Sequence, residues 1–243
     1  MPQERGRGEV GLGQRPAGLD PVPQTHGAGR GLDRGIERWD SEEMRGLAMI
    51  AAGVLGARAA VDTLRAIVEY DYHESFLEGP AGAQALPSVL ARLDTLEEAG
   101  LALMLVAAAS FVAWMTVRYR ALPQRFRPKS WAWAAWLVPA VNLVEPYLIL
   151  CEIWAGGPEG RHPRAPWLVF TWWCCALAHV TCLLAILAAE ARAGTLLRDG
   201  DRESAFAQAV LSGRLAIAAA VLSALAATLA AAMVILVERR RAP

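Results

Sequence analysis

Apolar residues in this chain gather into five blocks: 46–67, 100–117, 131–154, 166–189 and 215–237. Three of them, 100–117, 166–189 and 215–237, hold no charged side chain, and two of those run for 23 or 24 residues. An α-helix rises about 1.5 Å per residue, so about 20 apolar residues cross a hydrocarbon layer of about 30 Å. The blocks therefore predict membrane-spanning helices. A porin-type barrel would show short alternating strands instead.

Charge sharpens this picture. The 243 residues carry 24 basic and 24 acidic side chains, and 55% of the chain is hydrophobic. Only Arg58, Asp62, Arg65, Glu145 and Glu152 fall inside the blocks. A water-soluble domain mixes charge into its helix faces, so this segregation excludes an ordinary soluble enzyme. Zero net charge gives no global pull towards nucleic acid. All but one of the basic residues are Arg, Lys129 is the only Lys and Asn142 the only Asn, which suggests a high-GC bacterial genome. The four cysteines, Cys151, Cys174, Cys175 and Cys182, all lie in apolar blocks, which argues against a secreted disulfide framework.

Residues 1–44 are rich in Gly, Pro and Arg and are expected to be a disordered cytoplasmic tail. They contain no signal-peptide core. Met44, directly before the first block, is an alternative start to Met1. The membrane domain is expected at 45–238 and a basic tail at 239–243. After the first block come Glu69, Asp71, Glu74 and Glu78, then a Gly/Pro connection at 79–90. The second helix is expected to start near Thr95, with Glu97 and Glu98 in its first turn, where acids suit the helix dipole. It leads into Arg118, Arg120, Arg125, Arg127 and Lys129, with no acid between them. By the positive-inside rule this loop is cytoplasmic.

The third block, WAWAAWLVPAVNLVEPYLILCEIW, carries Pro139, Asn142, Glu145 and Pro146 near its middle. Each proline lacks a backbone donor and disfavours helix just before it. Seven of the nine tryptophans lie between 131 and 173, and tryptophan prefers the membrane–water interface. The block is thus either a kinked span or a broken segment that re-enters. Five full spans put 13 Lys/Arg inside and 6 outside; re-entry puts 14 inside and 5 outside. A short echo, DYHESF at 71–76 and GDRESAF at 200–206, tilts the reading to re-entry. The fold expected is an all-α integral membrane protein with four transmembrane helices and a Pro/Trp-rich broken middle segment, the alternative being five full spans.

The stretch from FVAW and RYR through Pro139, Asn142, Leu143, Pro146 and Trp154 to Trp172 and Trp173 resembles a bacterial membrane family, domain of unknown function 4328. The likeness covers about 110–175 by motif and 46–240 by the order of segments. Where that family often places a basic residue before its second proline, this chain has Glu145. The resemblance implies a bacterial membrane protein and supplies no reaction, substrate or cofactor.

Two constellations bear on chemistry. Arg58, Asp62 and Arg65 share one helix face, and an ionised group inside a bilayer normally faces a partner or water. Their surplus positive charge is expected to be cancelled by Glu145, directly or through Asp62 or water. Cys175, His179 and Cys182 also share a face, and with Cys151 would make a weak metal site. Packed thiols and one hydrogen-bonded imidazole explain them as well. Asp71, His73, Glu74 and Glu78 read as a solvated loop. No cofactor is expected. The motifs of hydrolases, zinc proteases and P-loop proteins are missing from the sequence. The function expected is a non-enzymatic membrane or envelope component of the bacterial inner membrane. The alternative is a small transporter or channel subunit built on Asn142 and Glu145. Lipid is the expected surrounding, with no nucleic-acid partner. Self-association or a further membrane partner is left open.

Overall fold

The computed structural model describes residues 41–79, 82, 86–136, 138–156 and 167–241. The expected tail at 1–44 lies almost wholly outside these residues, as does the choice between Met1 and Met44 as the start. Among the described residues the fold is all-α. Its helices are α1 (Ser41–Leu77), α2 (Leu86–Arg120), α3 (Trp131–Ala134), α4 (Pro139–Asn142), α5 (Glu145–Ala155), α6 (Trp167–Arg198) and α7 (Arg202–Arg241). Four of them, α1, α2, α6 and α7, are long and apolar enough to cross a membrane.

These four run up and down. α7 packs between α1 and α6, and α1 packs on α2. The interface is built on small side chains: Ala48, Ala51 and Ala59 on α1 and Ala219, Ala220, Ala227 and Ala230 on α7 are buried. In lipid, apolar surface gains little by association as such, so close backbone approach and van der Waals contact hold helices together. The tight core lies at one end, around Trp114, Met115, Tyr119, Ile149, Ile153, Met233 and Val234. That end also holds the basic 118–129 stretch.

The third block does not cross. Val138, the residue before Pro139, is extended (φ −99°, ψ 110°), as steric conflict with a following proline ring demands. α5 restarts with Pro146 in its first turn, where a missing N–H costs nothing. It stops at Gly156, whose left-handed φ of 79° suits glycine. The result is two single turns and one 11-residue helix in place of a span. Both sides of the segment lie at the basic end: Trp136 meets Phe111 of α2 edge to face, and Trp172 packs against the same ring at a tilt. The segment therefore enters and leaves at the same end, as the re-entrant reading expects, and the five-span alternative is not what forms.

Helix boundaries differ from the sequence reading at the opposite end. α2 begins at Leu86 and not near Thr95, because Pro87 is well placed in a first turn and the following residues are good helix formers. The 192–214 stretch is mostly helix, with only a turn at 199–201. Gly200 supplies a φ of 83° there. The Asp201 carboxylate accepts from Ser204 N–H at 3.0 Å, capping α7, and the Ser204 hydroxyl and N–H together hold the acid below its usual pKa. At the basic end α7 continues through Arg241, so most of the expected tail at 239–243 is helical. The four long helices run 32 to 40 residues, or about 48–60 Å. All of them outrun their apolar blocks chiefly at the acidic end.

Candidate functional site

Three charged clusters tie this bundle together. The first sits in the middle of α1. Arg58 and Asp62 are 9% and 1% exposed. Arg58 Nε donates to Asp62 Oδ2 at 2.7 Å, and Arg58 also donates to the Gly100 carbonyl of α2. Ser223 Oγ of α7 donates to Asp62 Oδ2 at 2.6 Å. One ion pair thus joins three helices. Gly100 leaves room for the guanidinium, since a Cβ there would stand 3.1 Å from Arg58 Nη1. Arg65 is not part of this cluster; its Nη2 lies 3.5 Å from Glu69 Oε1.

The second cluster closes the basic end of the bundle. Glu238 of α7 accepts from Arg118 Nε at 2.6 Å and from Trp114 Nε1 at 2.9 Å, both on α2. A second contact from Arg118 Nη2 makes the pair two-pronged. Met44 of α1 lies 3.7 Å from Arg118 Nη1 through its sulfur. Arg240 rests 4.1 Å above the Trp154 ring, joining α7 to α5.

The third cluster corrects the sequence reading. Glu145 does not meet Arg58. It pairs with Arg127, which also pairs with Glu152. Glu152 is 4% exposed. Its Oε2 accepts from Tyr119 Oη at 3.0 Å and from Phe126 N–H at 3.3 Å. Tyr119 Oη in turn accepts from Arg127 N–H at 3.1 Å. Glu145 and Glu152 are seven residues apart and fall on one face of α5, so one guanidinium reaches both. Re-entry is the physical reason for the difference: it carries Glu145 to the basic end, while Arg58 stays mid-bundle and is neutralised by its own neighbour. This clamp fastens the 121–130 loop and α5 to the end of α2.

The motif residues take varied places. α4 starts at Pro139 and ends at Asn142, which is half-buried. Leu143 is 56% exposed, and its carbonyl accepts from Trp173 Nε1 at 3.1 Å. Pro146 is buried, and Trp154 lies under Arg240. His179 Nδ1 lies 2.9 Å from the Ala219 carbonyl, which joins α6 to α7. Among the described residues no three His, Cys, Asp or Glu side chains converge as metal ligands, so Cys175, His179 and Cys182 do not form a site with one another.

The residues missed by sequence reasoning are Tyr119, Arg127, Glu152, Trp114, Arg118 and Glu238. Two signals pointed to them. Glu152 was a second acid in an apolar block, at helical spacing from Glu145. Trp114 and Arg118 stand at i and i+4, the spacing at which two side chains share one partner.

A family model described as "Domain of unknown function (DUF4328)" matches residues 88–239. That match takes in nearly all of α2, the broken segment, α6 and nearly all of α7. Comparison with curated proteins and with solved structures found no match.

Proposed function

The chain belongs to the DUF4328 family, and from that premise we propose that it is a non-enzymatic component of the bacterial cytoplasmic membrane. In this reading it works as a rigid four-helix body with a folded aromatic collar on its cytoplasmic face. Lipid and other membrane proteins, a second copy of the chain among them, are its partners.

The observation that carries this reading is the position of Glu145. A transporter built on a discontinuous segment would hold that acid near the bilayer midplane, facing a substrate or water. Here Arg127 takes Glu145 and Glu152 together and anchors the segment to α2. The mid-bundle pair, Arg58 and Asp62, is spent on Gly100 and Ser223. These ionised groups are all used to join helices.

Two measurements test it. Proteoliposomes holding the full chain should pass no more ions or small solutes than empty vesicles. Deletion in the host should weaken the envelope against detergent, and Arg127→Ala should fail to restore it. Flux above the empty-vesicle level, lost in Glu145→Gln, would establish the transporter reading instead.

A further inference from the structure

At the basic end a groove of about 410 Å³ runs between α1 and α7. Its walls are Ala48, Met49, Ala52, Val234 and Ile235, and its mouth holds Arg45, Glu238 and Arg239. Met49 and Ile235 are exposed, so the groove opens outward from the bundle. The charges at the mouth are not equivalent. Glu238 is neutralised from inside by Arg118 and accepts a further hydrogen bond from Trp114. Arg240, next along α7, is engaged with Trp154. Arg45 and Arg239 are exposed and make no ion pair among the described residues. The groove is therefore apolar along its length and carries two unneutralised guanidinium groups where the chain leaves lipid.

We propose that this groove binds one anionic phospholipid, with an acyl chain lying along Ala48, Ala52 and Val234 and the phosphate held by Arg45 and Arg239. The charge pattern selects the occupant. A neutral chain alone would leave the two arginines without counter-charge, and a free anion would leave the apolar trough empty. Guanidinium groups suit phosphate oxygens because two N–H donors can be shared side by side. Basic positions between helices at a membrane surface attract anionic headgroups, and each buried methylene of the chain adds to retention. The site does not depend on the function proposed above, because neither Arg45 nor Arg239 belongs to the clamp at Glu145.

The test uses the full chain purified in a mild detergent, with native mass spectrometry and melting temperature as readouts. The probes are phosphatidylglycerol, phosphatidylcholine with the same acyl chains, and inorganic phosphate. One phosphatidylglycerol should stay bound at concentrations about tenfold below those needed for phosphatidylcholine. Arg45→Gln with Arg239→Gln should erase that preference while leaving the fold intact, since both positions are exposed. Ala52→Leu, which narrows the trough, should weaken both lipids. Equal retention of the two lipids by the wild-type chain overturns the proposal, as does a preference that survives loss of both arginines. A melting shift with phosphate alone as large as that with phosphatidylglycerol also overturns it, since the site would then be for a free anion.

Discussion

Arg58 and Asp62 stand one turn apart in α1 and meet through two contacts of 2.7 Å, Nε to Oδ2 and Nη2 to Oδ1. The pair is closed on itself before any other helix arrives, and α2 and α7 then supply a carbonyl and a hydroxyl to the remaining valences. A charge in lipid is tolerable on these terms, because neither member faces hydrocarbon alone.

Asp62→Ala leaves Arg58 desolvated and without its counter-charge. Removing one member of a buried pair typically costs about 3–5 kcal/mol. Unfolding by denaturing detergent should show a loss of that size, and adding Arg58→Leu should recover part of it. Glu145→Ala should not couple to Arg58→Leu. A non-zero interaction energy between those two sites would place Glu145 back against α1.

Arg127→Ala strips both carboxylates of α5 of their shared partner. Loss of charged hydrogen bonds of this kind costs about 1.5–3 kcal/mol each, less where water can reach the group. Glu152, almost fully enclosed, should feel its removal more than the partly exposed Glu145: Glu152→Gln should be the more destabilising single change. Limited proteolysis should also find new cleavage within 121–130 in Arg127→Ala. Equal sensitivity of wild type and variant would mean that the clamp does not hold the loop.

Cys151 offers a pH test of the collar. Burial pushes its thiol up to about 11 from an ordinary value of 9.0, partly offset by a hydrogen bond with Tyr147. The thiolate is the reactive form, so alkylation at pH 8 should be slow and should climb as pH approaches 11. The linkage has a definite sign. A raised folded-state pKa contributes stability that is whole below about 9 and is lost as pH rises through about 11. Brisk labelling of Cys151 at pH 8 in the native state would show that α5 is not packed as described.

Topology follows from the return of the third block. In a cysteine-free background, Glu43→Cys and Phe126→Cys should be labelled from one side of sealed vesicles and Asp199→Cys from the other. By the excess of arginine near 118–129, the shared side should be the cytoplasmic one. Labelling of positions 43 and 126 from opposite sides is incompatible with this fold.

What could be read beforehand followed from local chemistry. Four of the five apolar blocks, three of them free of charge, marked the long helices, and Pro139 and Pro146 marked the breaks, since both prolines act through the backbone of their immediate neighbours. The partners of Glu145 and Arg118 were not legible, because they are set by which ends of helices meet. Glu145 is 18 residues from Arg127, and Arg118 is 120 from Glu238. Helix ends at the acidic side were missed for a related reason. Hydropathy marks where lipid stops, and α2 and α7 continue as helix past that point.

The aromatic collar and the overlong helices sit at opposite ends, and this makes the molecule's grip on the bilayer one-sided. Trp131, Trp133, Trp154, Trp167 and Trp173 fix the depth of one face, since indole rings favour the headgroup layer. The other face carries no tryptophan among the described residues, only the smaller cluster of Tyr70, Tyr72, Phe76 and Phe206: there α1, α2, α6 and α7 carry on as a stalk of 9 to 14 residues each, about 14–21 Å. A bilayer that thickens or thins must adjust along that stalk, because the collar will not move and the helices cannot shorten. Hydrophobic mismatch is then registered chiefly at the far face, and the turn at Gly200 rises or sinks relative to the lipid surface as the membrane around it changes.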